Sequence, residues 1–134
     1  MEKQEKTRPI VSFRDLKVYE MTYQAAVLLI TDLLPRLPAC ERLDLADQLR
    51  RSAKAIPRLI AEGYGKRHQK QGFQKYLSDA IAECNETVVG LYQCRDIYRI
   101  ACAELISTYE SAGRMLYRLH QAWRGFPNKQ NSFS

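Results

Sequence analysis

The chain has 134 residues, of which 46% are hydrophobic and 27% charged, and its net charge is +6. This composition excludes a disordered polypeptide, and the length is too short for two ordinary domains, so we expect one globular domain. The longest apolar run, residues 25–30, is far below the ~20 residues that cross a bilayer, and the N-terminus lacks the apolar stretch of a secretory signal. We therefore expect a cytoplasmic protein with no membrane partner.

The chain begins with a predicted flexible tail, residues 1–12, followed by a first helix. Apolar residues recur at intervals of three and four over residues 13–33, which is the spacing of one helix face. Pro35 and Pro38 should end this helix, because proline lacks a backbone donor and disfavours helix in the residue before it.

A second helix is predicted over residues 41–62, with an apolar stripe on one face. Gly63 and Gly65 are the expected stop signal, since glycine commonly follows the last turn of a helix. Pro57 lies inside this pattern. It should kink the helix, because its nitrogen cannot bond to the carbonyl one turn earlier.

Two further helices are predicted, over residues 70–98 and 102–124, and residues 125–134 form a second flexible tail. No stretch alternates in the manner of a strand. Four helices with short links predict an all-α fold, an antiparallel up-down four-helix bundle spanning residues 13–124.

The aromatic residues and an apolar surplus bear on the surface of this bundle. Most of the aromatic side chains fit the inward stripes and are predicted to be core: Tyr19, Tyr23, Tyr92, Tyr109, Tyr117 and Trp123. The first helix also carries four successive apolar residues at 27–30, more than one face can bury. Such leftover apolar surface favours self-association.

The second helix carries a stripe of positive charge. Arg50, Lys54 and Arg58 are spaced four residues apart, so they lie on one face. The window of residues 50–75 holds eight cations against the single acid Glu62, which is more positive charge than the net +6 of the whole chain. This concentration indicates a surface for a polyanion.

The loop after the second helix extends this charge. Cations that neutralise phosphates release counterions, which gives affinity without reading sequence, and an exposed aromatic ring could stack on a base. Tyr64 is the predicted stacking residue. The predicted phosphate contacts are Arg50, Arg51, Lys54, Arg58, Lys66, Arg67 and Lys70. A solvated helix face, an acidic protein and an anionic lipid surface remain open as alternatives.

Catalytic and metal chemistry find little support in the sequence. Neither His68 nor His120 follows a glutamate by three residues, has ligand-like spacing to a cysteine, or belongs to a recognisable triad. The four cysteines contain no C-x-x-C pair and are predicted to be reduced structural thiols. We expect no enzyme activity, no catalytic residue, no metal site and no cofactor.

The sequence blocks resemble the bacterial four helix bundle proteins, also called large-subunit ribosomal RNA intervening-sequence proteins. The shared features are Phe13 and Leu16 before an aromatic residue, Gln-Leu-Arg-Arg at residues 48–51, Ile-Pro at 56–57 and Ile-Ala-Glu-Gly at 60–63. The resemblance covers about residues 13–100. Two positions depart from the family pattern. Ala55 stands where relatives often have serine, and Leu59 stands where they usually have asparagine.

The resemblance implies an antiparallel four-helix bundle that assembles as a ring-shaped homopentamer. It also implies a gene sometimes carried within an insertion in ribosomal RNA. A relationship in fold to the accessory proteins of diversity-generating retroelements follows as well; those proteins bind nucleic acid and a reverse transcriptase through a basic surface.

Two hypotheses follow. The first is a non-enzymatic oligomeric bundle that binds nucleic acid through the basic surface, with RNA favoured over DNA because of the genomic association of the family. The second is a protein-interaction scaffold, or accessory subunit, that recruits a partner such as a reverse transcriptase.

Overall fold

The computed structural model describes residues 9–123, and these fold into four α-helices: α1 (Lys17–Leu28), α2 (Leu45–Gly65), α3 (Gly72–Tyr98) and α4 (Ala103–Trp123). No strand occurs within the described residues, which confirms the all-α fold with four helices. Of the two predicted tails, residues 1–8 and 125–134 lie outside the described residues. No helix within residues 9–123 has the length and apolarity needed to cross a membrane.

The segment predicted as one helix over residues 13–33 is divided into several helical pieces. A 3₁₀ turn, Phe13–Asp15, precedes α1 and is capped by Ser12, whose hydroxyl accepts from the Arg14 backbone N–H at 3.1 Å. After α1 the chain forms a π-helical turn (Leu29–Leu33) and a 3₁₀ turn (Leu34–Arg36). Pro35 lies at the point where the helix ends. A proline lacks the N–H that would continue the helical bonds, which accounts for the irregular geometry there.

The helix predicted over residues 41–62 begins and ends later than expected. Residues Ala39–Glu41 form a 3₁₀ turn, and α2 begins at Leu45, whose backbone N–H donates to Glu41 Oε1 at 3.1 Å. The helix continues through Pro57 and ends at Gly65, so of the two predicted stop residues Gly65 is confirmed as the end, whereas Gly63 lies inside the helix.

Gly63 is instead a packing residue between α2 and α3. A Cβ atom at this position would lie 2.7 Å from Tyr76 Cβ, which is closer than atoms of this kind approach. Gly90 on α3 plays the reciprocal role, since a Cβ there would lie 2.6 Å from Leu49 Cδ2. The missing side chains therefore allow the two helices to approach closely near both ends of their contact.

A buried hydrogen bond lies between these two glycine contacts. The Ser52 and Thr87 hydroxyl oxygens are 2.8 Å apart, and Thr87 Oγ1 also donates to the Glu83 carbonyl at 2.9 Å. Either hydroxyl can be the donor between them, because Ser52 Oγ can instead donate to the Leu49 carbonyl at 3.4 Å, and both hydroxyls have a partner inside the core. The bond fixes the position of α2 relative to α3 along their length.

The contacts between helices form a closed cycle, in which α2 packs on α3, α3 on α4, α4 on α1 and α1 on α2. The connections are short: residues 66–71 join α2 to α3, and residues 99–102 join α3 to α4. Gln71 and Arg99, which flank α3, have left-handed backbone conformations (φ 58° and 57°) that interrupt the helix at both ends. This arrangement is that of a helical bundle with one shared core.

The start of α2 is joined to the end of α3 by one carboxylate. Glu41 Oε2 accepts a hydrogen bond from the Tyr98 hydroxyl, while its other oxygen binds the Leu45 N–H. Both hydrogen bonds lower the pKa of Glu41, and the bond from Tyr98 has the larger effect. The same bond raises the pKa of Tyr98 from 10.0 to about 12.

This pair predicts a loss of stability at both ends of the pH scale. The lowered pKa of Glu41 gives stability that is present above the unfolded pKa and is lost as pH falls through the folded value. Tyr98 keeps its proton in the folded state after the unfolded chain has lost it, so stability falls as pH rises from 10 to about 12. We expect Tyr98→Phe to reduce the fall in the free energy of unfolding at both acidic and alkaline pH. Urea denaturation at a series of pH values measures this free energy. A variant with the same pH dependence as the unaltered protein would contradict the prediction.

Candidate nucleic-acid interface

The basic stripe lies on the outer face of α2. The inner face of the same helix is completely buried and consists of Leu49, Ala53, Ile56 and Ile60. This burial fixes the rotation of α2, so that Lys54 and Arg58 lie on the surface as the four-residue spacing predicts, with Arg50 half-buried beside them.

Asp47 neutralises part of the stripe at its N-terminal end. Its Oδ1 lies 3.5 Å from Arg50 Nη1, and its Oδ2 accepts from both Arg51 Nη2 (3.0 Å) and Arg51 Nε (3.2 Å). The count of charges over residues 50–75 began at Arg50, so it omitted Asp47, which lies about one helical turn earlier. Arg50 and Arg51 are therefore shared with a carboxylate, which reduces the net charge they offer to a ligand.

Lys54 and Arg58 are the exposed cations of the stripe. No acidic side chain within residues 9–123 forms an ion pair with either of them. Both side chains border two depressions, one on each side of α2. The depression between α2 and α3 also contains three carboxylates, those of Asp47, Glu62 and Glu83.

The cations of the loop after α2 are held by aromatic side chains. Lys66 Nζ donates to the Tyr76 hydroxyl at 3.2 Å, which in turn donates to Glu62 at 3.4 Å, and the bond to Tyr76 raises the pKa of Lys66. The Arg67 guanidinium lies 3.9 Å from the Tyr64 ring centre and donates to the Tyr64 carbonyl at 2.8 Å. Lys70 is exposed. Lys66 and Arg67 are thus partly committed to the fold.

The stacking role predicted for Tyr64 is wrong. Only 6% of this residue is exposed, its ring meets Phe73 edge to face at 6.0 Å, and Arg67 covers one of its faces. Its hydroxyl contacts the Ile10 carbonyl at 3.5 Å. Tyr64 packs into the core because α2 continues past Gly63, which keeps the tyrosine on the helix instead of in a loop.

The aromatic residues that do reach the surface beside the stripe belong to α1 and the turn before it. Tyr23 is 48% exposed, its ring centre is 5.9 Å from that of Tyr19, and Tyr19 meets Phe13 edge to face at 4.8 Å. We refer to the cavity that they form with α2 as the α1–α2 groove. It has a volume of about 410 Å³ and is lined by Phe13, Tyr19, Tyr23, Ala26, Val27, Ile30, Thr31, Lys54, Pro57, Arg58 and Ala61.

The prediction that Tyr23 belongs to the core is therefore wrong, and so is that for Tyr117, which is 57% exposed on α4. The prediction of an apolar surplus on the first helix is confirmed, since Val27 and Leu28 are about half exposed. That surplus was the signal in the sequence that could have located the groove. Arg42 was also missed; it lies with Arg50 in a smaller depression that shares Ile30 with the groove.

The remaining reactive side chains are buried or dispersed. Burial raises the pKa of Cys84 to about 12 and that of Cys94 to about 11, so both stay protonated thiols. Residues 9–123 contain no cluster of three or more histidine, cysteine or acidic side chains that could hold a metal ion. Chemically, the described surface offers fixed positive charge next to aromatic rings.

The fold and this surface define a small all-α bundle with a basic face. The family model described as 23S rRNA-intervening sequence protein matches residues 14–119. The chain belongs to this family, which confirms the resemblance seen in the sequence. No curated protein and no solved structure matches the chain in the corresponding searches.

Proposed function

We propose that this protein is a non-enzymatic helical bundle that binds nucleic acid, RNA in preference to DNA, through the basic face of α2. The observation that carries the proposal is the pair Lys54 and Arg58, exposed one turn apart with no ion-pair partner among residues 9–123. The family description, which refers to an intervening sequence in ribosomal RNA, supports RNA as the ligand. The proposed location is the cytoplasm.

The physical basis is the release of counterions from phosphates. Each phosphate that a cation neutralises contributes to affinity and makes it fall with salt, with a slope of about 0.9 per contact for duplex DNA and about 0.7 for single strands. Lys54 and Arg58 would supply the strongest contacts. Arg50, Arg51, Lys66, Arg67 and Lys70 would add weaker ones, because several of them already have partners within the fold.

Fluorescence anisotropy with labelled single-stranded RNA, structured RNA and duplex DNA, repeated over a salt series, tests the proposal. We expect Lys54→Glu with Arg58→Glu to weaken RNA binding about tenfold or more, because two attractive contacts become repulsive. The slope of log affinity against log salt should fall by about 1.4 for a single strand.

The matched control is Arg114→Glu with Arg118→Glu, which makes the same charge change at the same spacing on the surface of α4. If both double variants lose the same affinity, the protein binds through net charge and the α2 face is not the site. No binding at low salt would refute the proposal.

For the assembly, we propose an antiparallel up-down bundle that forms a cyclic homopentamer. The antiparallel arrangement is supported between α2 and α3, where Gly63 lies near Tyr76, Ser52 near Thr87 and Leu49 near Gly90.

Self-association is supported by apolar side chains exposed on different helices, namely Leu28, Val89, Ile97 and Tyr117. Exposed apolar side chains on different helices permit the head-to-tail contacts of a ring, in which different surfaces of neighbouring copies meet. Light scattering at several concentrations tests the subunit number, and a monomer throughout would exclude the ring.

A second candidate function is a scaffold that recruits a protein such as a reverse transcriptase. It is favoured by the apolar groove between α3 and α4, where Val89 and Tyr117 are exposed beside Arg114 and Arg118. Recovery of one specific protein in a pull-down that survives nuclease treatment would favour this function over RNA binding.

A further inference from the structure

The α1–α2 groove joins an aromatic wall to Lys54 and Arg58, the two cations of the basic stripe that form no ion pair with any acid of residues 9–123. We propose that it holds the unpaired nucleotides of single-stranded RNA, with bases against Tyr23 and Tyr19 and phosphates at Lys54 and Arg58. This inference rests on the proposed function and goes further, since it names the class of RNA and the surface that receives the bases.

The aromatic side chains supply the first argument. Tyr23 is 48% exposed and is inclined by 40° to Tyr19, and the Tyr19 ring is braced edge to face by Phe13. Bases of any sequence stack on such rings, because every base has a π-face. In a duplex these faces are already stacked on each other, so the groove selects unpaired nucleotides.

The distribution of charge supplies the second argument. Lys54 and Arg58 border the groove between α1 and α2 and also the depression between α2 and α3. The second of these contains the carboxylates of Asp47, Glu62 and Glu83, whereas no carboxylate of residues 9–123 lines the first. A phosphate chain that contacts the two cations is therefore favoured on the α1 side.

The size of the groove fits this ligand. Its volume of about 410 Å³ lies within the range of small-molecule sites, which enclose ligands larger than one base. The lining is predominantly apolar, as a base requires, and its polar side chains are those of Tyr19, Tyr23, Thr31, Lys54 and Arg58.

The groove between α3 and α4 is the strongest rival. It contains the exposed Tyr117 together with Arg114 and Arg118. It also contains the carboxylate of Glu110, which accepts a hydrogen bond from the Tyr92 hydroxyl at 3.1 Å. This negative charge disfavours a phosphate chain, and the α3–α4 groove therefore provides the matched control.

The test compares two labelled single strands of about 12 nucleotides that carry the same phosphates, an oligoadenylate and an oligomer without bases. We expect the unaltered protein to bind the oligoadenylate about fivefold more tightly or better, since a stacked base contributes at least this factor. Tyr23→Leu keeps the groove apolar but removes the ring. It should abolish most of this preference while leaving affinity for the oligomer without bases, and its salt slope, unchanged. Tyr117→Leu should change neither.

Four results would overturn the inference. Equal binding of the two oligomers with a steep salt slope would leave the proposed function intact and refute the groove. A loss of base preference in Tyr117→Leu, and not in Tyr23→Leu, would place the bases between α3 and α4. A change in molecular mass of Tyr23→Leu by light scattering would show that the groove is an interface between copies. No binding of either oligomer at low salt would refute the proposed function and this inference together.

Discussion

Replacement of Phe73 by alanine is expected to lower the free energy of unfolding by about 3–5 kcal/mol, the usual cost of removing a buried phenylalanine. Phe73 is 1% exposed and lies where the end of α2, the start of α3 and the end of α4 meet. Its ring packs edge to face against the rings of Tyr64 and Trp123, with distances between ring centres of 6.0 Å and 5.0 Å. The truncation would remove both aromatic contacts and leave a cavity among three helices that cannot easily collapse.

Urea denaturation followed by far-ultraviolet circular dichroism measures this loss, provided that the slope of the transition is unchanged. The control is Leu43→Ala, which removes an apolar side chain that is 89% exposed and should change stability by about 0.5 kcal/mol or less. A loss of less than about 1 kcal/mol for Phe73→Ala would contradict this prediction, because it would mean that the neighbouring rings fill the space left by the truncated side chain.

Gly63→Ala is expected to destabilise the protein by about 1–2 kcal/mol, although alanine is the better helix former. The new methyl group would lie 2.7 Å from Tyr76 Cβ and 3.1 Å from Phe73 Cδ1. Tyr76 Cβ is attached directly to the backbone of α3, so relief of the clash requires the two helices to move apart. The cost of this movement exceeds the gain of about 1 kcal/mol in helix propensity.

Gly113→Ala makes the same chemical change in α4, where, apart from the adjacent backbone of the helix itself, no atom of residues 9–123 lies within 4 Å of the added carbon. Here the helix propensity acts alone, and we expect a gain of about 0.5–1 kcal/mol. The two variants, measured by the same denaturation experiment, should therefore shift in opposite directions. A gain for Gly63→Ala as well would show that α2 and α3 tolerate a wider separation.

The sequence predicted the four helices well because each has a long apolar face that repeats with the helical period. Their ends were predicted less well, since local signals have more than one meaning. A glycine inside a helical pattern indicates either a stop or a close contact, and only the opposing surface of α3 shows that Gly63 is a contact. Similarly, Pro35 marked where the first helix ends but not the π-helical turn that precedes it.

The candidate site was predicted in part. The spacing of Lys54 and Arg58 was sufficient to place them on one face of a helix, because that depends on α2 alone. Which aromatic residue lies beside them depends on how α1 packs against α2, and no local pattern contains that information. Tyr64 is close to Lys54 and Arg58 in the sequence but is buried. Tyr23 is distant from them in the sequence, yet it lines the α1–α2 groove together with these two cations.

The chain contains one tryptophan, Trp123, at the end of α4. Its indole nitrogen lies 3.5 Å from the Arg67 carbonyl, and its ring packs on Phe73, so it joins the last turn of α4 to the loop that follows α2. Its fluorescence therefore reports on this end of the bundle, while circular dichroism reports on all four helices. A difference between the two signals would distinguish detachment of the α4 end from unfolding of the whole bundle, without any added label.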